Sequence, residues 1–71
     1  MAQHRRLVTD ADFQEAMDKQ SGIRVFQNDL VIDSGGVIVR FTDLLVVIQS
    51  GVSEVAYHER RACEFFELKK R

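Results

Sequence analysis

Residues 35–51 read GGVIVRFTDLLVVIQSG, and this stretch decides the fold. A polar break at Thr42-Asp43 separates a first apolar run from a second run, Leu44–Ile48, in which all five residues are apolar. A short strand that is apolar on both faces must be covered on both faces. We therefore expect the protein's own core on one side of Leu44–Ile48 and a neighbouring subunit on the other.

The first run alternates in part, as a half-buried strand does. Alternation places Val37, Val39 and Phe41 on one face and Ile38 and Arg40 on the other. The pattern predicts a strand with one face on the core.

Upstream of this stretch, the sequence predicts one short helix over residues 9–21. Thr9 is a favourable N-cap, and acidic residues follow it at the positive end of the helix dipole. Phe13, Ala16 and Met17 have the i, i+3, i+4 spacing of one narrow apolar stripe. The stripe indicates a helix that packs on a core, and residues 1–8 before it are predicted to be a flexible lead-in.

The rest of the chain is rich in β-forming residues, and we expect five strands over residues 23–68. Leu30–Ile32 and Val37–Phe41 are predicted to form one strand bent at Gly35-Gly36, because glycine tolerates a sharp corner. The expected fold class is therefore mainly β, a short N-terminal helix followed by a five-stranded, strongly bent antiparallel sheet. The predicted strands are Ile23–Phe26, Leu30–Phe41, Leu44–Ile48, Val52–Tyr57 and Cys63–Leu68.

Length and composition predict a single domain, 1–71, that needs help to be stable. A chain of 71 residues is near the size at which one core is marginal. With Cys63 as the only cysteine, no internal disulfide can form, and a cytoplasmic location is expected. No metal-ligand spacing and no cofactor motif occurs, and no apolar run has the length of a membrane span. Self-association is therefore the expected source of additional stability.

The net charge of −1 conceals an uneven distribution. Basic residues cluster at the two ends, whereas residues 7–68 hold five basic and all eleven acidic residues. An acidic body disfavours general nucleic-acid binding, because phosphate neutralisation supplies most non-specific affinity. The basic ends are predicted to be solubilising termini, with phosphate contacts as the alternative.

The layout of one helix and five strands resembles the Sm-like family, and in particular its bacterial Hfq branch of RNA chaperones. The chain can be laid against that branch without a gap from about Phe13 to Phe65. The matching positions lie on the helix stripe, at the strand glycine, before the turn and on the fourth strand. They are Phe13, Ala16, Gly36, Phe41, Val52-Ser53 and Tyr57.

The resemblance implies RNA-contacting positions, and this sequence departs from the family at most of them. The closing Tyr-Lys-His of the fourth strand is here Tyr57-His58-Glu59. The stacking aromatic after the turn corresponds to Leu44, which has no π face. Gln27 replaces the tyrosine of the purine site, although Ile32 keeps its apolar partner. The candidate RNA-binding residues are Asp43, Leu44, Tyr57, His58, Arg60, Arg61, Gln27 and Ile32.

Several of these candidates have simpler interpretations that the sequence leaves open. His58 is either a residue facing the pore of a ring or an exposed turn histidine. Arg60 and Arg61 either contact phosphates and bases or form a local ion pair with Glu59. Asp43 and Leu44 are either simply residues of a turn or, as the second interpretation, contacts to a nucleotide.

The function that the resemblance implies is an RNA-binding ring with altered specificity, a hexamer in this family. Strand 52–57 of one subunit would pair with strand 63–68 of the next, which removes open sheet edges. The alternative is an oligomeric protein-interaction scaffold, Sm-like or SH3-like, that does not bind RNA. No spacing of nucleophile and base, or of paired carboxylates, indicates an enzyme, so no catalytic residue is predicted. We also expect no cofactor, no metal and no membrane partner.

Overall fold

A computed structural model of the chain describes residues 4–68, which form one helix and a six-stranded antiparallel sheet. The predicted fold class, mainly β with one short helix near the N-terminus, is confirmed. The predicted count of five strands is wrong by one, because an additional strand precedes the helix. In chain order the elements are β1 (His4–Leu7), α1 (Asp10–Lys19), β2 (Ile23–Gln27), β3 (Leu30–Phe41), β4 (Leu45–Ser50), β5 (Glu54–Glu59) and β6 (Glu64–Leu68).

The additional strand is β1, which lies where the sequence predicts a lead-in over residues 1–8. Strand β1 pairs antiparallel with β6, from His4 opposite Leu68 to Leu7 opposite Phe65. Leu7 is buried in the core, and this burial holds the segment on the sheet. Residues 1–3 of the predicted lead-in lie outside the described residues.

The sheet order is β1-β6-β2-β3-β4-β5, and β3 holds its two halves together. The first half of β3, up to Gly36, pairs with β2, and the second half, from Val37 to Phe41, pairs with β4. The interpretation of residues 30–41 as one strand is confirmed. Within residues 4–68 no pairing joins β1 to β5, so the sheet is open and these two strands form its edges.

Gly36 is required where β3 changes partner. A Cβ atom at this position would lie 2.5 Å from Ile48 Cγ2 and 2.9 Å from the carbonyl oxygen of Gln49. Neighbouring Gly35 has a φ of +93° with open space around it. The two glycines therefore serve different purposes, close approach to β4 at one and a left-handed backbone at the other.

The helix follows its sequence signals closely. The Thr9 side chain accepts a hydrogen bond from the Asp12 amide, and the Asp12 carboxylate accepts one from the Thr9 amide. This reciprocal arrangement is a capping box. Phe13 and Ala16 are buried and Met17 packs beside them, so the predicted stripe is confirmed. The helix ends at Lys19, before the predicted end at residue 21, because Gln20 adopts a left-handed conformation.

The hairpin between β4 and β5 starts and ends later than the sequence predicts. Pairing continues to Ser50 opposite Glu54, and Gly51 turns the chain with a φ of +78°. Val52, predicted to begin a strand, is therefore in the turn and almost fully exposed. The side-chain amide of Gln49 donates to the carbonyl oxygens of Gly51 and Val52, which fixes this turn.

A β-bulge in β3 overturns the predicted alternation of residues 37–41. The register shifts between Ile38, which is opposite Ile48, and Arg40, which is opposite Val47. Ile48 and Val47 are consecutive and so lie on opposite faces of β4. Ile38 therefore enters the core while Arg40 faces outward, although the sequence pattern places them on the same face.

One apolar core lies between the helix and the sheet. Its residues come from every element except β5, together with Cys63 of the following turn. Phe65 is central, with its ring 5.5 Å from the Phe13 ring in an edge-on arrangement. Phe66 faces the other way, as expected for adjacent residues in a strand. The core residues are Leu7, Phe13, Ala16, Ile23, Val25, Ile38, Val46, Ile48, Cys63 and Phe65.

The outer face of β4 is covered within the single chain. Val47 points away from the core yet is only 7% exposed. Its direct cross-strand neighbours are Arg40 on β3 and Tyr57 on β5, whose longer side chains flank it. The burial of Val47 therefore does not itself require a second copy, and the neighbouring subunit expected from the sequence stays a prediction.

No helix in residues 4–68 has the length and apolar character needed to cross a membrane.

Candidate functional site

An open groove lies where the turn between β3 and β4 meets the end of β5. Its volume is about 360 Å³, and we call it the turn groove. The Thr42 hydroxyl accepts hydrogen bonds from the amides of Leu44 and Leu45, at 3.1 and 3.0 Å. These bonds fix the turn and leave the Leu44 side chain 62% exposed at its rim. The lining residues are Thr42, Leu44, Leu45, Glu59 and Arg61.

The two consecutive arginines beside this groove have different environments. The Arg60 guanidinium donates to the Asp10 carboxylate at 2.8 Å and to the Thr42 carbonyl oxygen at 2.7 Å. It also lies 4.6 Å from the centre of the Phe13 ring, and its side chain is 15% exposed. Arg61 is exposed and, within residues 4–68, forms no ion pair. Arg60 therefore ties the end of β5 to the helix, and Arg61 remains available to a ligand.

A further arginine that the sequence did not single out lies on the same outer face. Arg40, Val47 and Tyr57 form one cross-strand row over β3, β4 and β5. Glu59 and Leu45 form the next row toward the groove. Tyr57 is 69% exposed, so its ring is available for stacking beside the groove. The bulge that turns Arg40 outward is the reason that the alternation pattern did not reveal it.

The structure brings together half of the predicted RNA-binding residues. Leu44 and Arg61 line the turn groove, Asp43 precedes Leu44 in the turn, and Tyr57 lies on the adjoining face. Arg60 is nearby, although its guanidinium forms three hydrogen bonds within the chain. The remaining three candidates lie elsewhere.

His58 is in β5 and points toward the core side of the sheet, not into a turn. Its Nε2 atom lies 3.1 Å from the Asp33 carboxylate, and its side chain is 11% exposed. The Ser50 hydroxyl donates to the other oxygen of Asp33 at 3.4 Å. Because the carboxylate lies between the hydroxyl and the imidazole, this arrangement does not pair a nucleophile with a base. The two contacts join β3, β4 and β5 through the Asp33 carboxylate.

Gln27 and Ile32 are separate from the turn groove. Gln27 is the last residue of β2, opposite Leu30 across a two-residue turn. Ile32 lines a shallow groove of about 240 Å³ with Asp33 and Ser50, between β3 and the start of β5. Neither residue lines the turn groove.

The helix side of the sheet carries an ion-pair network instead of a groove. Arg5 contacts Asp12 at 3.0 Å, Glu15 at 2.8 Å and Glu67 at 3.6 Å. Glu67 is buried and accepts a hydrogen bond from the Ser21 hydroxyl at 2.6 Å. The network joins β1, α1 and β6.

Two acidic residues of this network have lowered pKa values. Hydrogen bonds from the backbone amides of Thr9 and Val8 hold the pKa of Asp12 at about 2, below its ordinary 3.8. The hydrogen bond from Arg5 lowers the pKa of Glu15. Both carboxylates are therefore charged at neutral pH, which keeps the network intact.

The single cysteine has the environment of a packing residue. Cys63 is buried, and desolvation, together with the charge of Glu59, raises the pKa of its thiol. A raised pKa keeps the thiol protonated and unreactive near neutral pH. Among the described residues, no group of three or more histidine, cysteine or acidic side chains is placed to hold a metal ion.

Comparisons of this chain with protein-family models, with curated proteins and with solved structures give no match in any of the three.

Proposed function

We propose that the chain is an Sm-like subunit that self-associates through strand edges and binds single-stranded RNA at the turn groove. The order of β6-β2-β3-β4-β5 behind one helix supports the first part. The helix and these five strands are the elements expected from the sequence, and β1 is added at one edge of the sheet. The long β3, shared between two sets of partners, is the strand on which a small bent barrel depends.

The observation that carries the RNA proposal is the combination of side chains around the turn groove. Arg61 and Arg40 are exposed cations without an ion-pair partner in the described chain, and this exposure supports a role in contacting phosphates. Tyr57 offers a ring for base stacking, which tolerates any base. Leu44 adds apolar contact at the rim of the groove.

The same groove supports a changed base preference relative to the family. His58 is turned into the fold and bonded to Asp33, so it does not contact a ligand at this surface. Glu59 lines the groove beside Arg61 and offers an acceptor where the family has a basic residue. A carboxylate disfavours a nearby phosphate and accepts hydrogen bonds from base amino groups.

The free strand edges support self-association. Strand β6 has β1 on one side and β2 on the other, so both of its edges are already paired. The expected pairing of strand 52–57 with strand 63–68 of a neighbour therefore requires β1 to leave. We propose instead that β5 of one copy pairs with β1 of the next, which closes a ring without breaking any pairing within the subunit. A hexamer is the closed form that the resemblance implies.

Fluorescence polarisation with short labelled RNA tests the binding. We expect a measurable affinity at about 50 mM salt that weakens by about 200 mM salt. The variant Arg61→Gln should weaken binding, whereas Arg61→Lys should keep part of it because the charge remains. Tyr57→Leu should weaken binding and Tyr57→Phe should not. No binding by the wild type at low salt would contradict the proposal.

Light scattering tests the assembly separately. We expect an oligomer, and Val55→Lys on the exposed edge strand β5 should convert it to a monomer. Wild-type protein that remains a monomer at high concentration would contradict the ring without affecting the RNA proposal.

One observation favours a second candidate function, a protein-interaction scaffold. Leu30, Val31 and Ile32 at the start of β3 are all exposed, between 43% and 67%. Exposed apolar clusters on a small domain are typical of protein interfaces. A chain that assembles and binds no RNA at low salt would support this candidate.

A further inference from the structure

The outer face of β1, β6 and β2 carries a second arrangement of cations and aromatic rings. Arg6 is directly opposite Phe66, and Phe66 is directly opposite Arg24 on its other side. Directly opposite residues on one face lie about 5 Å apart between Cβ atoms. Phe66 therefore lies between two arginines, and we call this surface, with Phe26, the β6 face.

The cations of this face have no carboxylate partner in the described chain. Within residues 4–68, neither Arg6 nor Arg24 forms an ion pair. The only side-chain hydrogen bond of Arg24 in that range goes to the Ser34 hydroxyl, at 3.3 Å. Two cations on either side of an aromatic ring gain little within residues 4–68, since no carboxylate there pairs with either charge. The arrangement is complementary to a ligand that carries anionic groups on both sides of a flat one.

The second row of the face supplies a shallow groove with hydrogen-bond acceptors. Phe26 packs against Phe66 with ring centroids 5.5 Å apart in an edge-on arrangement. The two rings, with Asp29 and Glu64, line a shallow groove of about 270 Å³. Glu64 is directly opposite Phe26, and it is two residues, about 6.6 Å, along β6 from Phe66. The arginines and Phe66 thus form one row of the face, and Glu64 and Phe26 form the next row.

We propose that the β6 face is a second binding surface for single-stranded nucleic acid, selective for bases that carry an exocyclic amino group. This inference rests on RNA as the ligand of the proposed function and adds a site apart from the turn groove. Arg6 and Arg24 contact successive phosphates, and a base stacks on the ring of Phe66 with Phe26 at its side. Glu64 and Asp29 accept hydrogen bonds from the amino group of cytosine or adenine. Uracil offers a carbonyl oxygen at that position, which the carboxylates repel.

An acidic peptide fits the surface less well. It would pair with Arg6 and Arg24, yet it would bring further negative charge toward Glu64 and Asp29. It would also leave the two rings without a flat partner. A single-stranded nucleic acid places phosphates on both sides of a flat base whose amino group donates hydrogen bonds, as the face requires.

Polarisation titrations with labelled oligo-C, oligo-A and oligo-U test the proposal. We expect oligo-C and oligo-A to bind at least about fivefold more tightly than oligo-U, because one lost base contact costs about 1 kcal/mol or more. Phe66→Leu should weaken oligo-C binding by about fivefold or more, and Phe66→Tyr should preserve it. Arg24→Gln and Arg6→Gln should each reduce the slope of log K against log salt by about 0.7. Glu64→Gln should reduce the discrimination against oligo-U.

The turn-groove variant Arg61→Gln separates the two surfaces. If Phe66→Leu and Arg24→Gln bind like the wild type while Arg61→Gln does not, the β6 face is not a site and the proposed function stands. If the wild type binds none of the three oligonucleotides at low salt, both proposals fail. Equal displacement of oligo-C by poly-glutamate and by unlabelled oligo-C would also overturn the base-stacking site. Circular dichroism of each variant excludes unfolding as the cause of lost binding.

Discussion

The arginines on the helix-covered side of the sheet are bonded to carboxylates within the chain, whereas those on the outer faces form no ion pair in residues 4–68. On the helix side, Arg5 contacts three carboxylates and Arg60 donates to a carboxylate and two carbonyl oxygens. Their sequence neighbours Arg6 and Arg61 face outward and have no ion pair in the described chain. Alternation along an extended chain accounts for the difference between Arg5 and Arg6. In each pair of consecutive arginines, the first residue is bonded within the fold and the second is exposed.

The two adjacent phenylalanines offer the largest test of this comparison. Phe65→Ala should lower the free energy of unfolding by about 3–5 kcal/mol, because the ring is almost fully buried against Phe13. That loss is comparable to the whole stability expected of so small a core. The control, Phe66→Ala on the outer face, should cost distinctly less. Urea titration followed by circular dichroism measures both, and equal losses would contradict the assignment of faces.

The glycine at the partner change of β3 tests how tightly the covered side is packed. Gly36→Ala should cost about 1–3 kcal/mol, because the new Cβ would meet the side chain of Ile48 and the backbone of Gln49. Gly22→Ala is the matched control. A Cβ atom added at Gly22 would lie 3.7 Å from its nearest neighbour, the side chain of Leu68, and the φ of Gly22 is not positive. Denaturant midpoints should fall for the first variant only. A stable Gly36→Ala would show that β3 and β4 approach less closely.

The paired arginines at the end of β5 test whether stability and binding separate. Arg60→Gln should lower the free energy of unfolding by about 1–2 kcal/mol, because it removes charge-assisted hydrogen bonds to Asp10 and Thr42. Arg61→Gln should change stability by less than about 0.5 kcal/mol, as an exposed residue does. RNA affinity should show the larger loss for Arg61→Gln. The reverse ranking in both assays would contradict the separation.

The acid stability of the helix cap gives the smallest expected effect. The pKa of Asp12 is lowered to about 2 by the amides of Thr9 and Val8. A lowered pKa contributes stability that is fully present above the ordinary value of 3.8 and is lost as the pH falls toward about 2. The variant Asp12→Asn should therefore show a weaker pH dependence of thermal unfolding between about pH 4 and pH 2. An unchanged slope in this window would exclude Asp12 as a contributor.

The sequence predicts the parts of this fold that depend on local patterns. Thr9, the Phe13 stripe and the Gly35-Gly36 pair each leave a short-range signal, so the helix and the long β3 are predicted correctly from the residues alone. Strand β1 has no such signal, because HRRL is a strand only through its pairing with β6. Val52 causes the opposite error. Its apolar side chain predicts the start of a strand, but the residue lies in the turn that begins at Gly51.

The candidate site is only half visible in the sequence for a related reason. Arg61 and Leu44 lie at turns that are local in sequence, and they are predicted from the two consecutive arginines and from the resemblance, respectively. The hydrogen bonding of Arg60 within the fold depends on Asp10, which is 50 residues away in the chain. The outward direction of Arg40 depends on a β-bulge for which the sequence carries no signal. The position of Phe66 between two arginines depends on the pairing of β6 with β1 and β2.

The most direct test of the central claim, that the outward arginines bind RNA and the inward ones do not, is an NMR titration. The Nε–H signals of the arginine side chains would be followed as a short oligonucleotide of mixed C and U is added. We expect the signals of the outward set, Arg6, Arg24, Arg40 and Arg61, to shift, and those of Arg5 and Arg60 to remain in place. Shifts confined to Arg5 and Arg60, or no shift at saturating RNA and low salt, would contradict the account.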